Sequence, residues 1–285
     1  MNAPLKFAAS MVIFGSIGYF SVKTNLPSIE LVFIRCLCAS LLLGFVWWLG
    51  RRKRAEKNQE PALRKDYLFA LLCGFFLIVN WVLFFRSFEL MSITVAVSIY
   101  HLAPVLVLIL GSLLFKEKIT LPAGIAIVTC FIGTLLVGGI QQHSSFDDFL
   151  STGVLWAFGA AFFYALTTLT GKAIRTLDPI LLTIIQTSLG VVLLLPLIDW
   201  TKFSQLSVGN WGYILLTGFV HTGFVFYLFF SSLRGLKAQT IAILVFLDPA
   251  VAILLDVLLT GYHPDTYQIL GILLTFLGMG YAFKK

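Results

Sequence analysis

Residues 84–104 read FFRSFELMSITVAVSIYHLAP, and residues 229–249 read FFSSLRGLKAQTIAILVFLDP. Laid on each other without a gap, both stretches open on a Phe-Phe pair and close on a proline. His101-Leu102-Ala103-Pro104 falls on Phe246-Leu247-Asp248-Pro249. The same offset sets Leu113-Leu114 on Leu258-Leu259 and Gly133 on Gly278. With a shift of one residue, Leu71-Leu72-Cys73-Gly74-Phe75 meets Leu215-Leu216-Thr217-Gly218-Phe219, and Phe14-Gly15 likewise meets Phe158-Gly159. Apolar segments align by chance, so the prolines and glycines carry the comparison. They make the chain an internal duplication.

Composition says what kind of unit is duplicated. Of 285 residues, 59% are hydrophobic and 12% charged, too few polar side chains to coat a water-exposed surface. Apolar runs of roughly 18–22 residues recur along the whole length, each long enough to cross a ~30 Å hydrocarbon core. The spans fall at about 5–22, 29–49, 67–87, 93–115, 120–140, 152–171, 178–198, 209–231, 239–260 and 266–283. Breakers separate them at Asn25-Leu26-Pro27, Leu121-Pro122, Asp178-Pro179 and His263-Pro264. The fold class is therefore all-α, a polytopic membrane protein of ten transmembrane helices in two five-helix repeats, residues 1–145 and 146–285. The first run, from Leu5 to Phe20, begins with a single Lys6 and reads as a first span rather than a signal peptide.

Five is odd, so the two repeats enter the membrane with opposite topology. Inverted repeats recur in secondary transporters, with the site near the midplane between them. The net charge of +7 is concentrated: Arg51, Arg52, Lys53, Arg54, Lys57, Arg64 and Lys65 share one loop. If that loop is cytoplasmic, alternation leaves only Lys23, Arg86 and Lys202 outside and Arg35 within a span, out of 20 basic residues. Lys116, Lys118, Lys172, Arg175, Arg234, Lys237, Lys284 and Lys285 then fall inside, and both termini are cytoplasmic by the positive-inside bias. The same distribution speaks for an orientation signal in the cell (inner) membrane and against nucleic-acid binding.

These residues resemble a known family. The two five-span halves carry Phe14-Gly15 followed by Lys23, then Pro27 and Arg35, then His101-Leu102-Ala103-Pro104 and Phe115-Lys116-Glu117-Lys118-Ile119-Thr120. In that order they look like the EamA-type branch of the drug/metabolite transporter superfamily. The resemblance implies a ten-helix carrier that exports amino acids, drugs or other small metabolites. It also implies a central cavity formed mainly by helices 1, 3, 4, 6, 8 and 9, with helices 5 and 10 as scaffold. One departure stands out. Where the first repeat has Lys116-Glu117-Lys118, the second has Gly261-Tyr262-His263, without the acidic residue.

Ionisable side chains inside a membrane are costly and face a cavity or a partner. Those deep in the spans are Arg35, His101, His221, Asp248 and Asp256. Asp248 stands beside Pro249, whose ring removes a backbone donor and kinks a helix mid-span. It is the candidate for binding a substrate amine or carrying a coupling proton, against a structural carboxylate satisfied by His101 or His221. Thr94, Ser98 and His101 form a polar stripe on helix 4. His101 and His221 are candidate proton carriers because an imidazole changes charge near neutral pH. On helix 3, Asn80, Phe84 and Ser87 share a face; Asn80 is a candidate substrate ligand or a helix-joining amide. Trp81, Trp156, Tyr164 and Tyr227 are candidate aromatic walls for an apolar or cationic substrate. Arg35 is expected to snorkel or to pair with Glu30 or Glu89, in a gating or structural role, with the clamping of a substrate carboxylate as the alternative.

The remaining features set the alternatives. Cys36, Cys38, Cys73 and Cys130 all lie in apolar segments, which reads as packing. No metal spacing, nucleophile–base arrangement, phosphate loop or dinucleotide fingerprint occurs, so neither a metal, a cofactor nor an enzyme activity is expected. No filter sequence or charge ring suggests a channel. A lipid or lipid-linked precursor translocase of the same architecture is the first alternative to a metabolite carrier, and a membrane-embedded enzyme the more remote one. Gly133, Gly278 and the Ala126/Gly271 pair read as close-packing grooves, for a scaffold or a homodimer contact. The expected partners are a small-molecule substrate and the bilayer.

Overall fold

The computed structural model describes residues 3–50, 63–115, 121–137, 139, 153–174, 176–233, 244 and 247–282. Most of the 51–65 basic loop, Lys116–Thr120, Arg175, Arg234 and Lys237 and the 145/146 repeat boundary lie outside the described residues. Among the described residues every regular element is helical. The elements are α1 (Ala3–Lys23), α2 (Ser28–Leu49), α3 (Arg64–Leu90), α4 (Ile93–Tyr100), α5 (Ala103–Phe115) and α6 (Leu121–Val137). They continue as α7 (Leu155–Ala173), α8 (Pro179–Leu194), the short α9 (Thr201–Ser204), α10 (Val208–Leu215), α11 (Val225–Leu233), α12 (Leu247–Leu255) and α13 (Thr266–Ala282). π-helical segments join α10 to α11 at Leu216–Phe224 and extend α12 at Asp256–Thr260. Among the described residues six helices are long and apolar enough to cross a membrane: Ala3–Lys23, Ser28–Leu49, Arg64–Leu90, Ile93–Gly111, Pro179–Leu197 and Val208–Phe229. Shorter apolar helices follow the same pattern at Ile127–Val137, Leu155–Gly171 and Thr266–Gly278.

Local chemistry sets the boundaries. Pro27 ends the α1–α2 turn, where Asn25 takes a positive φ of 56°. Asp178 accepts from the Ile180 amide at 2.8 Å and places Pro179 at the first helical position, where its missing N–H is harmless. Ser207 and Asn210 form a reciprocal cap at the start of α10. The break between α4 and α5 falls at His101-Leu102, two residues before Pro104. Proline cannot donate to the Tyr100 carbonyl and disfavours helical geometry in the residue before it.

Four connections, at 24–27, 91–92, 195–207 and 261–265, gather at one end of the bundle. There the Ser28 amide donates to Glu89 at 2.7 Å, the Asp199 amide to Glu30 at 3.1 Å, and the Asn210 side chain to the Lys23 carbonyl at 3.0 Å. At the opposite end the Thr176 amide and hydroxyl donate to Asp66 at 2.7 and 2.5 Å. Asp66 and Asn210 occupy the same position of the two repeats in the register that pairs Leu71 with Leu215. Each thus ties the start of a third helix to the connection after a first helix of the other repeat.

The helix contacts come in matched pairs as well. α3 packs on α7, as α1 packs on α11; α3 packs on α8, as α2 packs on the π segment before α11; α1 packs on α12, as α7 packs on α4 and α5. α2 meets α8, and α6 meets α13, which are corresponding helices of the two halves. The α6–α13 seam is made backbone to backbone. A Cβ at Gly133 would lie 2.7 Å from the Gly271 carbonyl, and one at Gly271 would lie 2.6 Å from the Gly133 carbonyl. These glycines face each other within one chain, so they are not the dimer groove that was the other expectation for them.

Candidate functional site

The α4–α5 break presents His101, and α12 presents Asp248 beside Pro249. The His101 Nδ1–H donates to the Val97 carbonyl at 2.8 Å, an ordinary bond back along α4. That leaves the lone pair of neutral Nε2 pointing away from its own helix. Nε2 lies 4.0 Å from Asp248 Oδ2, so the pair fits one ionisable proton held on either side. His101 is buried, while the Asp248 side chain keeps 29% of its surface open. Asp248 is expected mid-span at a proline kink; residues 245–246 before it lie outside the described residues, and Asp248 itself is helical, within Leu247–Leu255. α1 approaches this residue at Gly15, where any Cβ would overlap the Asp248 carbonyl oxygen and lie 2.8 Å from Val251 Cβ. Only glycine lets α1 come this close.

Tyr100 extends the pair sideways. Its ring stacks on Phe84 with centroids 4.1 Å apart and lies 5.5 Å from the ring of Tyr164 on α7. Both tyrosines are within electrostatic reach of Asp248. Asn80 is fully buried: its Nδ2 donates to the Ala160 carbonyl at 2.7 Å and lies 3.4 Å from the Tyr100 hydroxyl. The amide is therefore spent joining α3 to α7, the helix-joining alternative to a ligand role. Asn80→Ala is expected to lower stability by about 1 kcal/mol, the scale of one interhelical hydrogen bond in a membrane. Thermal unfolding of the detergent-solubilised protein measures this.

A second polar cluster lies nearer the 24–27 end. His221, in the π segment, has Nε2 2.9 Å from Ser16 Oγ on α1 and Nδ1 3.4 Å from the Leu216 carbonyl. Ser16 Oγ donates to the Ile13 carbonyl at 2.8 Å, so its oxygen takes the imidazole Nε2–H. The extra residue of a π turn places His221 and Thr222 inward together, a distortion that recurs at functional sites. Arg35 is 1% exposed, and its Nε donates to Thr222 Oγ1 at 3.0 Å. Its guanidinium lies over Trp81 at 5.0 Å and Phe85 at 4.6 Å.

Arg35 neither snorkels nor pairs with the expected acids. Glu30 accepts from Asp199, and Glu89 is taken by Arg86 and the Ser28 amide. These carboxylates sit at the helix ends, where backbone amides reach them first. Asp256 is also spoken for: Oδ2 accepts from the Thr94 amide at 2.7 Å and Oδ1 from Thr260 at 2.6 Å, so it caps α4 from the other repeat. Thr94 and Ser98 share the face of His101, and their hydroxyls are buried without a partner among the described residues.

The aromatic candidates separate. Trp81 is buried between Arg35 and Phe226, whose ring is 6.1 Å away. Trp156 is 41% exposed beneath Arg86, at the end of the bundle, and Tyr227 is 46% exposed on α11. Neither joins the His101–Asp248 or Arg35–His221 group. Two residues central to those groups, Tyr100 and Thr222, gave a signal only by adjacency, standing next to His101 and His221. At the 24–27 end lie two cavities of about 270 and 310 Å³. The first is lined by Ser21, Leu31, Phe85 and Glu89, the second by Ser92, Asp256 and Tyr262. Tyr262, where the acidic residue of the resembled pattern is missing, donates to Gln268 at 2.9 Å. Among the described residues no three acidic, His or Cys side chains cluster as metal ligands do.

Comparison with known proteins completes the picture. The family model of the EamA-like transporter family matches residues 2–139 and 151–283. A Bacillus subtilis (strain 168) protein described as the uncharacterized transporter YxxF is 52% identical over 284 residues, covering 100% of this chain and 90% of that protein. A solved crystal structure at 13% identity superposes with a TM-score of 0.66 over 98% of this chain and 97% of the other, a likeness of fold alone.

Proposed function

The chain belongs to the EamA-like transporter family, and from that premise we propose that it is a secondary carrier. It moves a small metabolite (an amino acid, an amine or a drug-like compound) outward across the cell membrane by alternating access. In this reading ten spans form two inverted repeats, 1–145 and 146–285, with both termini cytoplasmic and the substrate path between the repeats. The observation that carries the proposal is the His101–Asp248 pair. One member comes from each repeat, each stands within three residues of a proline, and the two, 4.0 Å apart, can hold one exchangeable proton on either side. Residues paired across repeats are the ones whose spacing changes when one repeat rocks against the other.

Energy for transport comes from a gradient or exchange, with Asp248 and His101 as the coupling pair. Tyr164 and Tyr100 supply the aromatic wall beside it, suited to an apolar or cationic group. Arg35 and His221 form the second polar station along the path.

The test is uptake of radiolabelled amino acids and amines into proteoliposomes, with and without an imposed pH gradient. Saturable uptake that responds to the gradient is the expected result. No uptake of any compound under either condition would overturn the metabolite-carrier reading and favour lipid translocation. Gly15→Ala probes the geometry: its methyl must push α1 off the Asp248 turn, so uptake is expected to fall severalfold with the protein still inserted. Unchanged uptake would show that this close approach is dispensable.

A further inference from the structure

Arg35 is the feature that the coupling pair does not use. It is fully buried, yet Nη1 has no hydrogen-bond partner and Arg35 forms no ion pair among the described residues. Guanidinium keeps its charge and offers five donors in a planar fork. A buried cation left with open donors is strongly unfavourable unless an anion completes it. Glu30, Glu89 and Asp256 are engaged elsewhere, as described above. What holds the guanidinium meanwhile is the pair of ring faces, Trp81 and Phe85, and one bond to Thr222. The Thr222 hydroxyl spends its own proton on the Thr217 carbonyl at 3.0 Å, so its oxygen only accepts and fixes where the fork points.

Phe85 has two sides. One lies against the guanidinium, and the ring also lines the 270 Å³ cavity at the 24–27 end with Ser21 and Glu89. Ser21 Oγ is buried there without a partner among the described residues. The negative charge of Glu89 is offset by Arg86. Phe85 therefore touches both this cavity, a vestibule, and a buried cation that has no ion pair among the described residues.

We infer that Arg35, aimed by Thr222 and covered by Phe85, is a subsite for the carboxylate of the transported molecule. The inference rests on the carrier reading and narrows it to substrates bearing a carboxylate. Arg35 binds the carboxylate by two parallel N–H···O bonds in a site closed to water, and Phe85 swings into the vestibule as the ligand seats.

Purified protein in detergent tests this by thermal shift with matched probes at millimolar concentration. The pairs are L-leucine and L-leucinamide, L-phenylalanine and L-phenylalaninamide, phenylacetate and phenylacetamide. The same pairs are then assayed for uptake in proteoliposomes. The acid of at least one pair is expected to stabilise the protein at a concentration about tenfold or more below its amide, since charge-assisted bidentate bonds exist only for the acid. Arg35→Gln removes that preference, and Thr222→Val, nearly isosteric and fit to fold where Arg35→Gln does not, weakens it severalfold. Acid and amide acting alike on the wild type, an acid preference that survives in Arg35→Gln, or one that is undiminished in Thr222→Val, would overturn the subsite. No shift from any carboxylate would overturn it as well. A carboxylate shift without uptake of any probe would overturn the carrier reading and leave the subsite. Uptake of acids and amides alike would do the reverse.

Discussion

Asp248→Asn is expected to abolish accumulation driven by a pH gradient while leaving the protein folded in the membrane. His101 Nδ1 is committed to the Val97 carbonyl, so the exchangeable proton of the pair sits on either Nε2 or Oδ2, which are 4.0 Å apart. Asparagine keeps the size and a hydrogen-bonding oxygen but cannot bind and release a proton, so the pair can no longer change charge. With its proton the native pair is neutral overall, as imidazolium with carboxylate or imidazole with carboxylic acid, and releasing that proton leaves a carboxylate whose charge is costly in the membrane, which ties release to the opening of the site. Exchange of bound for external substrate with no gradient separates the two roles of Asp248. If exchange survives while accumulation is lost, the carboxylate couples; if both are lost, it also binds substrate. Gradient-driven accumulation at the wild-type level in Asp248→Asn would sink the role altogether.

The second large effect is structural. Gly271→Val places side-chain atoms where the Gly133 carbonyl and the Val137 amide already stand, at 2.6 and 2.8 Å from the first added carbon. Both obstacles are backbone, so neither can rotate away, and α6 must separate from α13 along its length. Overpacking of this kind costs about 3 kcal/mol or more where backbone has to move. That corresponds to a fall of about 5 °C or more in the unfolding temperature in detergent. Gly280→Val is the control: it lies on the same helix with open space around it and is expected to leave the temperature unchanged. If the two variants behave alike, the close α6–α13 seam is not a source of stability.

The sequence showed the membrane segments because their signal is large and local. Apolar runs followed α1, α2, α3 and α8 to within a few residues, and the caps at Asp178 and Ser207 lie at chemically obvious stops. It also showed which polar side chains lie inside the spans, since each is an exception in an apolar run. Partner choice was harder to read. Arg35 was expected to meet Glu30 or Glu89, but backbone amides at the helix ends claimed both carboxylates. Asn80 looked like a ligand from its depth alone, and a carbonyl of α7 took it. Tyr227 sits on an exposed face, and Trp156 lies exposed at the end of the bundle.

The amino-acid order alone thus determined that lipid is the solvent, that the chain is a duplication, and that a handful of ionisable groups must be accommodated within it. Hydropathy and spacing are enough for that, because transfer from water to hydrocarbon is a property of each segment by itself. Tertiary structure decided that His101 faces Asp248 across the repeats, that Arg35 stands over Trp81 and Phe85 without a carboxylate, and that Gly133 faces Gly271 rather than a second copy of the chain. The reason is that lipid and protein interior are equally apolar, so composition does not mark which face of a helix is buried. That choice falls to close packing and interhelical hydrogen bonds, which depend on how the helices rotate and tilt against one another.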